Sequence, residues 1–178
     1  MCDTEVYTVR VDSVYSTSNV SFVGYLNIPL RNVVKVELQS ASIHANATAP
    51  STTSMYYIHV DELKTKFLDR TDLKYNVSVA GQTGNVGSST STVSNVGYLS
   101  QSLVAIPVTD GSSNYRTIFT SGGFHPVEIS YLEPIRKVDK LTVNIFNSTG
   151  LQPNITAGAT HLTFRFTCAK NNPCLYPN

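Results

Sequence analysis

The sequence predicts an all-β fold, an antiparallel β-sandwich or barrel with at most one short helix. Three observations carry this. Brief segments alternate apolar and polar residues with a period of two. Clusters of Gly, Ser, Asn and Pro punctuate them at the spacing of strand-to-strand turns. No strand-helix-strand rhythm interrupts the pattern, so a parallel sheet is not expected.

The elements follow in order. Between Glu5 and Tyr15, Tyr7, Val9 and Val11 fall on one face, and Thr8, Arg10 and Asp12 on the other. A Ser-Thr-Ser-Asn turn leads into Phe22–Ile28, which Pro29 is expected to stop. Asn32 to Ile43 alternates again, with Val34, Val36 and Leu38 inward and Lys35, Glu37 and Gln39 outward. Met55 to Val60 is a dense run of β-formers. In the stretch after it, Asp61 stands where a helix cap would be, and Leu63 and Phe67 are four apart, the spacing of one helix face. A short helix or turn is the most this supports. Later strands are expected over 98–108, 115–120, 127–131, 140–146 and 162–168. The last has Leu162, Phe164 and Phe166 inward, and Tyr7 and Tyr57 are also assigned to the core. The total is about nine or ten strands, the number of a sandwich or barrel.

With 178 residues the chain suits one domain, long enough to bury a core without metal or disulfide help. Residues 81–97 are a low-complexity Gly/Ser/Thr/Asn stretch, expected as a surface loop within that single domain because its flanks are too short to fold alone. The formal net charge is +1, which gives no electrostatic footprint for nucleic acid or an anionic membrane. Charged residues make up 14% of the chain, against roughly 25% in an average soluble domain. Ser, Thr and Asn, 54 residues together, take their place. Few like charges weaken repulsion between copies packed side by side, which favours assembly. A secreted or surface β-domain would share this composition.

No basic start followed by an apolar run opens the chain, so cytoplasmic synthesis without export is expected. No window reaches the length of a spanning helix. Sequons occur at Asn19, Asn46, Asn76, Asn147 and Asn154 and are read as unmodified turn or strand residues. The cysteines, Cys2, Cys168 and Cys174, are no disulfide framework. Cys168 and Cys174 could close a small loop around Pro173 if geometry and redox conditions allow; the alternative is free thiols.

Signatures of chemistry are wanting. His44, His59, His125 and His161 form no metal-ligand spacing. There is no nucleophile elbow, and no glycine loop opening a helix that would cradle phosphate. Asp61 and Glu62 read as a turn or cap rather than as catalytic acids or calcium ligands. No enzyme, cofactor or metal is therefore expected. Arg136, Lys137 and Lys140 form the one basic cluster. Glu133 and Asp139 dilute its field, so nucleic-acid binding is not compelling. The cluster is either a polar connection leading into a strand or a contact to an acidic surface on a neighbouring subunit. Tyrosine, with ten copies, suits both interfaces and sugar-binding clefts.

Five stretches in order then carry a resemblance: Asn27–Leu38 (NIPLRNVVKVEL), Tyr56–Leu63 (YYIHVDEL), Leu103–Val108 (LVAIPV), Glu133–Val143 (EPIRKVDKLTV) and His161–Phe166 (HLTFRF). Together the set resembles the single jelly-roll penton and minor capsid proteins of nucleocytoplasmic large DNA viruses. The resemblance implies a single jelly roll of two facing four-stranded sheets and no catalytic residues. It implies a homopentamer at icosahedral five-fold vertices, major capsid protein and other minor capsid proteins as partners, and residence in the virion. The 81–97 loop has no counterpart in that pattern. A minor protein beneath the capsid layer and a carbohydrate-binding β-sandwich module remain the alternatives.

Overall fold

In a computed structural model, residues 3–44, 55–63, 102–108, 116–121, 127–147, 152–153, 155 and 158–170 are described. The elements are β1 (Thr4–Asp12), β2 (Ser21–His44), β3 (Met55–Val60), a 3-10 turn (Asp61–Leu63), β4 (Val104–Pro107), β5 (Arg116–Thr120), β6 (Glu128–Asn147) and β7 (His161–Ala169). The protein is all-β, and the only helical element among the described residues is that single turn, where Asp61 was expected to start one. The expected loop 81–97 and the expected strand residues before 102 lie outside the described residues.

Among the described residues all pairings are antiparallel, and the seven strands form one sheet ordered β1-β7-β2-β6-β3-β4, with β5 also on β2. The hydrogen-bonded ladder of these strands is continuous because β2 serves two neighbours. Its first part pairs with β6 from Ser21↔Asn144 to Glu37↔Glu128, and its later part pairs with β7 from Val33↔Cys168 to Ser42↔His161. Beyond Glu37, β5 takes over the side vacated by β6. Ser121 N–H donates to the Gln39 carbonyl and Leu38 N–H to the Val127 carbonyl across the junction.

The sheet is curled into a half-barrel. Val11 of β1 shows how tightly. Although β7 separates β1 from β2 in the sheet, a Cβ placed on Gly24 of β2 would sit 2.5 Å from Val11 Cγ1. The concave side holds one apolar core that includes Val33, Leu38, Ile43, Tyr56, Ile58, Leu141, Ile145, Leu162, Phe164 and Phe166. On β7 the alternation is as expected, with Leu162, Phe164, Phe166 and Cys168 all buried.

The long strands depart from simple alternation, and irregularities in register explain how. In β2 the buried positions are Phe22 and Leu30, then Val33, then Val36 and Leu38, then Ala41 and Ile43. Register shifts fall between Tyr25 and Leu30, between Val33 and Lys35, and between Leu38 and Ser40. An inserted residue exchanges the two faces downstream of it. Val33, not the expected Val34, is therefore the buried valine. Asn32 beside it has φ of 50°, a left-handed conformation that Asn tolerates better than most residues.

Two further expectations are corrected by the same physics. Pro29 does not stop β2, and the segments 127–131 and 140–146 are not separate strands: residues 128–131 and 140–146 both belong to β6, with Val127 just before its start. Pro29 lies within the irregularity Tyr25–Leu30 and Pro134 within that between Ser130 and Ile135. At such places a ladder N–H is dispensable, so proline fits. Tyr7, assigned inward, is 39% exposed. It lies on the outer half of edge strand β1, where Thr4 to Thr8 are all exposed and only Val11 is fully buried. Tyr57 is half-buried, whereas its neighbours Tyr56 and Ile58 are fully buried.

Candidate functional site

Arg136, Lys137 and Lys140 all lie within β6 and all are exposed, so the reading as a connection between strands is set aside. Two of the three cations already have partners. Lys137 Nζ is 2.8 Å from the Asp139 carboxylate, which its hydrogen bond and charge hold below the usual carboxylate pKa range. Lys140 Nζ lies 4.0 Å from Glu62 Oε1. Arg136 has no ion pair among the described residues. The cluster is thus largely neutralised, and such exposed pairs add little stability.

Glu62 has a second role. Its carboxylate accepts from Thr142 N–H at 2.6 Å and from Thr142 Oγ1 at 2.8 Å. The β3–β6 ladder ends at Val60↔Val143. One residue beyond, a side-chain carboxylate replaces the missing backbone acceptor. The nearby Asp61 is 3.0 Å from Nε2 of His59, a histidine only 2% exposed.

Large apolar side chains also stand exposed on β2 and β6. Tyr25 pairs with Lys140 across the β2–β6 ladder and is 79% exposed, with Val23 two residues before it on the same strand. The two irregular, proline-containing places carry Ile28 at 74% and Leu132 at 85% exposure. Sequence reasoning did not single out these side chains. Their signal was a proline inside an otherwise strand-like run, at Ile28-Pro29 and at Leu132-Glu133-Pro134. Tyr131, beside Leu132, is turned in: its hydroxyl donates to the Leu63 carbonyl at 2.9 Å, and burial raises its pKa strongly.

Elsewhere the polar groups serve the fold. Glu37 accepts from Ser121 Oγ at 2.7 Å and lies 3.6 Å from Arg165, while Lys35 pairs with Glu128. Asn19, the first sequon, is locked in place. It accepts from Ser13 Oγ at 2.7 Å and donates to the Ile155 carbonyl at 3.1 Å. Asn147 ends β6; Asn46, Asn76 and Asn154 lie outside the described residues. Cys168 is a buried free thiol whose pKa burial raises. Cys174, its candidate partner, lies outside the described residues. Among the described residues no group of His, Cys, Asp and Glu could hold a metal ion, and no helix is long and apolar enough to cross a membrane.

Neither a protein-family model nor a curated protein matches the chain. Among solved structures, it is similar to infectious bursal disease virus VP2 in a subviral particle, at 10% identity and a TM-score of 0.34, over 97% of this chain and 34% of that one. A mutant VP2 of the same virus, with its derived T=1 particles, gives 11% identity and a TM-score of 0.33, over 97% of this chain and 33% of that one. The chain therefore spans about a third of the length of these structures. Likeness at this level assigns neither fold family nor role.

Proposed function

We propose that the protein is a structural subunit of an icosahedral viral shell, a single jelly roll that forms a pentameric ring at the five-fold vertices. One observation carries the reading. The five stretches that resemble penton and minor capsid proteins fall on β2, β3, β4, β6 and β7, which are consecutive neighbours in the sheet order β7-β2-β6-β3-β4. Segments scattered over more than a hundred residues of sequence thus form one contiguous slab. The strands outside the resemblance, β1 and β5, lie at its end and off its path.

The surface is compatible with this role. Tyr25, Ile28 and Leu132 are large apolar side chains left in solvent, and the cations beside them are mostly neutralised internally. Such a surface can pack against another subunit without strong charge repulsion. In a ring each copy offers one surface to a different surface of the next, so modest contacts add up through closure. The mass of the purified protein, measured alone and with major capsid protein, tests the reading. A species of five chain masses, seen as rings in micrographs, is expected. A protein that stays monomeric under both conditions overturns it.

A further inference from the structure

Among the described residues, nothing pairs with the outer edge of β1. β1 pairs with β7 at every residue from Thr4↔Ala169 to Asp12↔His161 with no register shift, and β7 is its only neighbour among the described strands. The bonds flanking this pairing fix its phase. Lys170 N–H donates to the Asp3 carbonyl and Ser13 N–H to the Thr160 carbonyl. In an antiparallel pair the bonded positions alternate, so the odd residues of β1 bond to β7. The N–H and C=O groups of Thr4, Val6, Thr8 and Arg10 therefore point away from the sheet, and all four residues are exposed.

Edge strands that avoid pairing carry bulges, prolines or charged side chains, lysines above all, or are short. β1, TEVYTVRVD, is nine residues long and regular, with no proline or lysine, and its charged residues Glu5, Arg10 and Asp12 are of mixed sign. Val6 is 59% and Tyr7 39% exposed on it.

We propose that β1 pairs antiparallel with β1 of a second copy about a two-fold axis at Tyr7. The phase of the open groups requires even residues to bond with even residues. A two-fold at Tyr7 meets that requirement and sets Val6 against the partner's Thr8, and Tyr7 against the partner's Tyr7. β-branched and aromatic cross-strand pairs of this kind are favourable. The charges fit as well. Arg10 meets the partner's Thr4 and Glu5 meets the partner's Val9, so no like charges oppose each other. A single strand edge buries less than the roughly 1,200 Å² of a standard stable interface. The pairing is accordingly concentration-dependent and strongest among copies already held close. It is separate from a five-fold ring and would join one ring or one monomer to another.

A disulfide trap tests it. At a non-hydrogen-bonded antiparallel pair the Cα atoms are about 4.5 Å apart, within the roughly 4.4–6.8 Å that a disulfide spans. In a full-length C2S/C174S background, Tyr7→Cys should give a covalent dimer under mild oxidation. Tyr15→Cys, at a fully exposed residue, should not. Val6→Pro removes an outward N–H without breaking a β1–β7 bond, so adding it to Tyr7→Cys should abolish the dimer while circular dichroism stays unchanged. Equal crosslinking at Tyr7 and Tyr15, or none at Tyr7, overturns the proposal. Persistence of the dimer with Val6→Pro also overturns it. A monomeric mass with a Tyr7 crosslink would remove the ring and keep this pairing, whereas a pentamer without the crosslink would do the reverse.

Discussion

Gly24 shows how much of the curl depends on a single missing side chain. The Cβ of any other residue there would enter Val11, which is buried and β-branched and so has little freedom to move aside. Gly24→Ala should destabilise the protein by about 1–3 kcal/mol, the usual cost of overpacking. Urea unfolding measures it, and Val11→Ala in the same chain should recover part of the loss. Equal loss in the single and double variants would show that contact with Val11 is not the cause. The buried polar knot at the mouth of β1 is governed by hydrogen bonding instead. Ser13 and Thr160 are almost wholly buried. Thr160 N–H donates to Ser13 Oγ at 2.9 Å, and Thr160 Oγ1 donates to the Asn19 carbonyl at 2.8 Å. Asn19→Ala removes the acceptor of the Ser13 hydroxyl and should cost about 1–3 kcal/mol by leaving a buried donor unpaired. The same unfolding experiment reads it, and a change within error of wild type would assign the knot no energetic role.

At the scale of elements, alternation was legible wherever strands are regular. β7 and β3 follow from their own residues, and so does the short helical turn at Asp61. The long strands were not fully legible, because period two fixes faces only within an uninterrupted run. The shifts after Val33 and after Leu38 reverse the faces, and sequence marks such places only weakly, here through Pro29, Asn32 and Pro134. That is why Val34 was expected in place of Val33, and why β6 was divided at its polar middle. The basic cluster of β6 was legible as a group of residues. Of the carboxylates that neutralise it, Asp139 was legible beside it, but Glu62 was not, since it lies 80 positions from Thr142 and reaches β6 through the β3 pairing. Glu62→Ala leaves the Thr142 N–H without its carboxylate and should cost about 1.5–3 kcal/mol, the range for bonds to charged groups. Amide exchange checks the location of the effect: Thr142 should lose protection while the ladder beyond Val143 keeps it. Uniform loss across the sheet would show that the turn supports the whole fold rather than one strand end.

For the whole molecule, the buried acidic groups make alkaline pH the direction of weakness. Burial raises the pKa of Cys168 from its ordinary 9.0 and those of Tyr56 and Tyr131 from 10.0, that of Tyr131 the most. At neutral pH these groups are protonated in both folded and unfolded chains and contribute nothing to pH dependence. Above about pH 9 the unfolded chain releases protons that the folded chain retains. The unfolded state then binds fewer protons, so stability falls as pH rises, until the raised folded-state values are passed. The thermal midpoint should therefore decline from pH 9 to 11. Tyr131→Phe separates this effect from general charge repulsion. At pH 7 it loses the hydrogen bond to the Leu63 carbonyl, a cost of about 0.5–1.5 kcal/mol. At pH 11 it no longer has a phenol to ionise on unfolding, so its deficit relative to wild type should shrink or reverse. Parallel declines of wild type and Tyr131→Phe would place the alkaline sensitivity elsewhere, with Cys168→Ser and Tyr56→Phe the variants to compare next.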